Sequence, residues 1–155
     1  MTTAWAKLVQ ENRKEILQRL NDAALSLFSD KAASPLIGEA LSAGMSEILD
    51  GIDQNGEVIE NGVNNVTRIL AVQPFAPSGA MSVFFSLKHI ILETARRAPA
   101  HSSLDDGEMI RFLTRIDEIT LMAFDRYMMH REKLYQLKVE ETRNRMYMAL
   151  RRTGA

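Results

Sequence analysis

Apolar side chains recur at steps of three and four residues along most of this chain, the period of helices with one buried face. Trp5, Val9, Ile16, Leu20 and Leu27, flanked by Leu8, Leu17, Ala24 and Phe28, predict one amphipathic helix across the first segment. The run SDKAASP ends it. Ser34 can then accept from first-turn amides of the next helix, with Pro35 at the first helical position, where a missing N–H costs nothing. Ile37, Leu41, Met45, Ile48 and Ile52 form the stripe of this second helix. Gly38 and Gly44 inside it each cost about 1 kcal/mol relative to Ala; close helix packing is the expected compensation, and a merely tolerated glycine is the alternative.

DGIDQNG reads as a turn, after which Val58, Ile59, Val63, Val66, Ile69 and Leu70 mark a third helix that must stop near Val72. Pro74 disfavours helical geometry at Gln73, and Pro77 does the same at Ala76 while setting its own angle for a new first turn. AVQPFAPSG is therefore a stop signal followed by a start signal, and Ala76 brings no capping oxygen to it. Pro74, Phe75 and Pro77 are expected to form a structural corner, with the Phe75 ring plugging the core.

In the fourth helix Met81, Phe84, Phe85, Lys88, Ile91 and Leu92 share the face expected to be core, and Ser82, Ser86, His89 and Glu93 line a polar one. RAPAHSSLDDG is a loop. Beyond it Ile110, Leu113, Ile116, Thr120, Phe124 and Tyr127 keep helical spacing, and no Gly or Pro interrupts Glu108 to Thr153. One helix of about 65 Å fits this stretch, longer than a domain of this size is wide, so its end protrudes or bends. Tyr135, Val139, Thr142, Met146 and Ala149 continue at steps of four and three, the spacing of a seam that meets another helix. Strand-like alternation, internal repeats and low-complexity segments are absent from the sequence. These elements predict an all-α bundle of about five helices with a long C-terminal helix, in a single domain spanning residues 1–155.

Composition narrows the function classes. With 155 residues and 46% apolar content the chain can bury one core without metal or disulfide support. A formal charge of -1 gives no overall field for nucleic acid or anionic membrane. The charge is unevenly spread: Ala32 to Thr67 holds six acids and no Lys or Arg, whereas Arg131 to Arg152 holds seven bases and three acids. Two solvated faces explain this, and so does complementary contact between subunits. No cysteine is available for disulfides, thiolate chemistry or sulfur-ligated zinc. MTTAWAKLVQENRKEI lacks the apolar core of a secretory signal, and MSVFFSLKHIIL is too short and too charged to cross a bilayer. A cytoplasmic protein without membrane insertion is expected.

Chemistry is sparse. His89 has Glu93 one turn on, His101 lies in a loop near Asp105 and Asp106, and His130 sits in YMMHREK, where it reads as a helix-surface or interface residue. Solvated side chains explain the first two groups better than a catalytic pair or a metal site. HExxH, GxSxG and glycine-rich phosphate loops do not occur, and the adjacent Glu140 and Glu141 diverge on a helix. No enzyme, cofactor or metal is expected. The nine methionines suit a core or a soft ligand pocket.

Two stretches, RILAVQPFAPSGAMSVFFSLKHIILE (Arg68 to Glu93) and IDEITLMAFDRYMMHREKLYQLKVEETRNR (Ile116 to Arg145), resemble the N-terminal domain of the RsbRD group of RsbT co-antagonists in bacterial stress signalling, a domain also found ahead of some sensor histidine kinases. The pattern is Arg68, Ala71-Val72-Gln73, Phe75 to Pro77 and Leu87-Lys88, then Phe124-Asp125, Tyr127, Arg131-Glu132-Lys133, Tyr135 and Glu141. The resemblance implies a haem-free, globin-like helical domain that senses or scaffolds and passes a signal to an output domain. It carries over no functional side chains, because the phosphorylated threonines of such regulators lie in their linker and STAS portions. Longer members continue into STAS or kinase domains.

The expected function is a non-enzymatic regulatory module working through helix contacts, as a homodimer or with a larger regulator of STAS or histidine kinase output. A carrier or sensor with an apolar ligand in a Met- and Phe-rich interior is the alternative. The seam of Tyr135, Val139, Thr142, Met146 and Ala149 is the expected interface. The seven bases of Arg131 to Arg152 disfavour a parallel copy and favour an antiparallel one or contact with the acidic second helix.

Overall fold

A computed structural model describes residues 3–28 and 35–154, except for the side chain of His101. Ser34, the expected cap of the second helix, lies outside the described residues. Among those described all regular structure is helical: α1 (Ala4–Glu11), α2 (Arg13–Leu25), α3 (Pro35–Asp50), α4 (Glu57–Ala71), α5 (Pro77–Arg97), a 3-10 turn (Ala100–Ser102) and α6 (Asp106–Arg152).

The first difference from the sequence reading lies at Asn12, which divides the expected single helix into α1 and α2. Its backbone leaves helical geometry at φ -112°, ψ 17°, while its side-chain amide donates to Leu8 O at 2.9 Å. An asparagine that bonds the backbone in this way competes with the helix ladder. The break lets two short stripes face different neighbours: α1 packs on α6, and α2 packs on α5 and α3. Thr3 caps α1 by accepting from Ala6 N at 3.2 Å.

α3 and α4 cross most closely, through glycine. A Cβ on Gly44 would lie 2.7 Å from Val66 Cγ2, and one on Gly62 would lie 2.7 Å from Ile48 N. Neither site has room for a methyl. Gly38 fits the alternative of a tolerated glycine, with open space where its Cβ would be. The turn between these helices ends at Gly56, whose φ of 138° is a conformation side chains disfavour. Arg115 of α6 fastens that turn by donating to Ile52 O at 2.8 Å and Asn55 Oδ1 at 2.9 Å.

α4 stops at Ala71, and α5 starts at Pro77 with Ala76 as a cap that makes no side-chain hydrogen bond. α5 buries Ala80, Met81, Val83, Phe84, Leu87, Ile90 and Ile91. Phe85, expected on the core face, is exposed, because that face is centred on Leu87 rather than Lys88. α6 begins with Asp105 accepting from Glu108 N at 2.7 Å. Its core line is Phe112, Ile116, Ile119, Ala123, Tyr127 and His130. Ile110 and Phe124, which share the helical spacing read from the sequence, point outward. The reason is visible in the composition of α6, which is apolar on two faces and inward on only one.

Candidate functional site

α6 has 47 residues, about 70 Å at 1.5 Å per residue, and the bundle covers only its first part. Every described residue from Tyr135 onward is exposed. The last 30 Å or so therefore form an arm projecting from the body.

The second apolar face of α6 runs along both body and arm. At 3.6 residues per turn, positions 18 residues apart, about five turns, superpose. Ile110, Met128 and Met146 therefore share one line, Leu121 and Val139 a second, and Phe124 and Thr142 a third beside them. Leu121 is 68% exposed, Phe124 45%, Val139 56% and Met146 63%. Of the residues expected as an interface, Tyr135, Val139, Thr142 and Met146 lie together in one shallow groove with Tyr147 and Leu150. Ala149 faces a neighbouring groove with Met148. Tyr147, Leu150 and the body residues Leu121, Phe124 and Met128 were missed; a count of apolar residues left over after the core line is filled would have found them.

Arg131 anchors the root of the arm. It donates to Ala71 O at 3.1 Å and Gln73 O at 3.4 Å, and its guanidinium lies 5.5 Å from the Tyr135 ring centroid while also donating to Tyr135 OH. Two sequence stretches some 60 residues apart thus meet at one joint. Pro74 and Pro77 on the same corner are exposed, and Phe75 is half-buried rather than a central plug, edge-on to Phe28 at 5.2 Å between centroids.

His130 lies on the core line beside this joint and is buried, contrary to its reading as a surface or interface residue. Burial lowers its pKa, helped by the nearby positive charges of Arg68, Lys133 and Arg126 and opposed by a hydrogen bond with the Asn64 backbone. An open cleft of about 440 Å³ runs between α4 and α6 here, with Asn64, Arg68, Val72, Arg126, Met129, His130, Lys133 and Leu134 around it.

Elsewhere the candidate groups are separated. His89 is exposed, and Glu93 pairs with Arg19 and Arg97 rather than with it. The Arg19 hydrogen bond and charge hold the Glu93 carboxyl below its usual range. Asp105 serves as the α6 cap. Glu141 pairs with Arg145 one turn along. Met45 and Met81 are buried, whereas Met128, Met146 and Met148 are exposed, so the methionines do not gather in one interior pocket. Among the described residues no group of His, Cys, Asp or Glu is placed to hold a metal ion, and no helix is long and apolar enough to cross a membrane.

Comparison with known proteins gives one family. The model described as RsbT co-antagonist protein rsbRD N-terminal domain matches residues 2–142, which takes in the bundle and the first part of the arm. An uncharacterized protein of Archaeoglobus fulgidus is 25% identical over 115 residues, covering 74% of this chain and 66% of its own length. No solved structure matches the chain.

Proposed function

Since this chain belongs to the RsbT co-antagonist rsbRD N-terminal domain family, a family of stress-response signalling domains, we propose that it is a non-enzymatic regulatory module acting in the cytoplasm through contacts of its terminal helix. Residues 1–155 form one domain in this reading, arranged as a haem-free relative of the globin fold. The contact joins two copies of the chain, or one copy to a larger regulator that carries a STAS or histidine kinase output.

The outward apolar stripe of α6 carries this reading. A solvated arm has no use for Tyr135, Val139, Met146 and Leu150 on one side, and burying them against another helix stabilises it at roughly 25 cal/mol per Å². Charge selects the orientation. Asp117 to Glu132 holds four acids and two bases, whereas Lys133 to Arg152 holds two acids and six bases. Two antiparallel copies would lay the basic arm of each along the acidic body stretch of the other, where Leu121, Phe124 and Met128 continue the stripe. A parallel pair would set arm against arm, and the bases flanking the seam would repel.

Sedimentation of the whole chain and of a version ending at Lys133 tests the interface. The whole chain is expected to be dimeric at tens of micromolar and the shortened one monomeric. Identical states for the two would remove the arm from the interface.

A further inference from the structure

We propose that the cleft between α4 and α6, at the root of the arm, binds a small organic oxyanion, phosphate- or carboxylate-headed, through the cations of Arg68, Arg126 and Lys133 and the imidazole of His130. Three observations support the site. The cations converge from two helices onto one cleft, and among the described residues none of the three has an ion pair or hydrogen bond. Unspent positive charge at such a density attracts an anion, and guanidinium forks match the geometry of planar and tetrahedral oxyanions.

Inside the cleft the imidazole supplies the second observation. His130 is 9% exposed, and its Nε2 is buried with no protein partner among the described residues. A buried polar atom without a partner is costly, and a ligand oxygen is a partner it can take once the nitrogen carries a proton. The neighbouring charges acting most on this ring, from Arg68 on α4 and from Lys133 and Arg126 on α6, are all positive, so an incoming anion relieves repulsion as well as filling the bond. The third observation concerns the rest of the wall. Val72 and Leu134 give the cleft an apolar side, so a compact hydrophobic group beside the anionic head fits better than a bare ion.

The position gives the ligand leverage. α6 leaves the body at this level, and Arg131 holds it to Ala71 O and Gln73 O from the same corner. An oxyanion shared by Arg68 and Lys133 would tie α4 to α6 and fix the direction of the arm. The site stands on its own geometry and holds whether or not the arm pairs two copies.

The test is an NMR titration of the full chain, labelled with ¹⁵N at histidine, with phenyl phosphate, benzoate and inorganic phosphate at constant ionic strength. The His130 ring signals are expected to move saturably at millimolar ligand while those of His89 stay in place. Either phenyl phosphate or benzoate should bind about fivefold or more tightly than inorganic phosphate, and the tighter of the two identifies the head group. Arg68→Gln and Lys133→Gln should each weaken binding about fivefold, the loss typical of one charge-assisted contact, with unchanged melting curves because both side chains are exposed. Equal movement of His89 and His130, no saturation with any of the three, or undiminished binding in both variants overturns the proposal.

Discussion

Single side chains carry several measurable consequences. Phe75 is half-buried and edge-on to Phe28, so Phe75→Ala should cost about 1–2 kcal/mol in urea melts, below the 3–5 kcal/mol of an enclosed ring. A loss above about 3 kcal/mol would place the ring deeper than the structure does. His130 couples stability to pH. Its pKa is lowered on folding, chiefly by burial, so the unfolded chain binds more protons between the folded value and the ordinary value near 6.5. Stability is therefore full above about pH 6.5 and declines as pH falls through the folded pKa. His130→Gln should flatten that decline in urea melts taken between pH 8 and 5, and an unchanged slope would assign it elsewhere. At His89 the expectation is negative: the ring is exposed, so added haemin should give no sharp Soret band, and one lost on His89→Ala would contradict this. Neither the burial of His130 nor the exposure of Phe85 was legible in the sequence. Helical spacing gives an angle around the axis, and only tertiary packing says which angle faces inward.

Elements were legible to the extent that their boundaries are written in backbone chemistry. The prolines of AVQPFAPSG place the end of α4 and the start of α5, because a missing N–H and a fixed φ act locally. Asn12 has no such fixed effect, and its break in the first helix is decided by which neighbours α1 and α2 meet. Glycine shows the same limit. Gly38 and Gly44 look alike in sequence, yet one faces open space and the other Val66. Gly38→Ala should stabilise the chain by about 0.5–1 kcal/mol through backbone entropy. Gly62→Ala, which forces a methyl to 2.7 Å from Ile48 N, should destabilise it by at least about 1–3 kcal/mol as α3 and α4 are pushed apart. Thermal melts of the two variants should move in opposite directions, and a shared direction would refute the close crossing.

At the scale of the whole molecule, the separation of charge between body and arm predicts a salt response. An antiparallel pair held partly by a basic arm on an acidic stretch should dissociate more readily in about 0.5 M NaCl than in 50 mM, whereas one held by apolar contact alone should not. Sedimentation at the two salt concentrations separates these cases.

The projecting arm has a kinetic consequence. About 20 exposed residues of helix gain no burial against the body, and such packing is the source of most helical stability in proteins. Its amide protons in a lone copy should exchange with deuterium almost as fast as those of a frayed terminus, while the core amides of Phe112 to Tyr127 wait for global opening. A docked arm would exchange at a rate set by the lifetime of the pair. Exchange from residue 135 onward that slows with protein concentration, beside a core that does not respond, would make the arm a clock for the association.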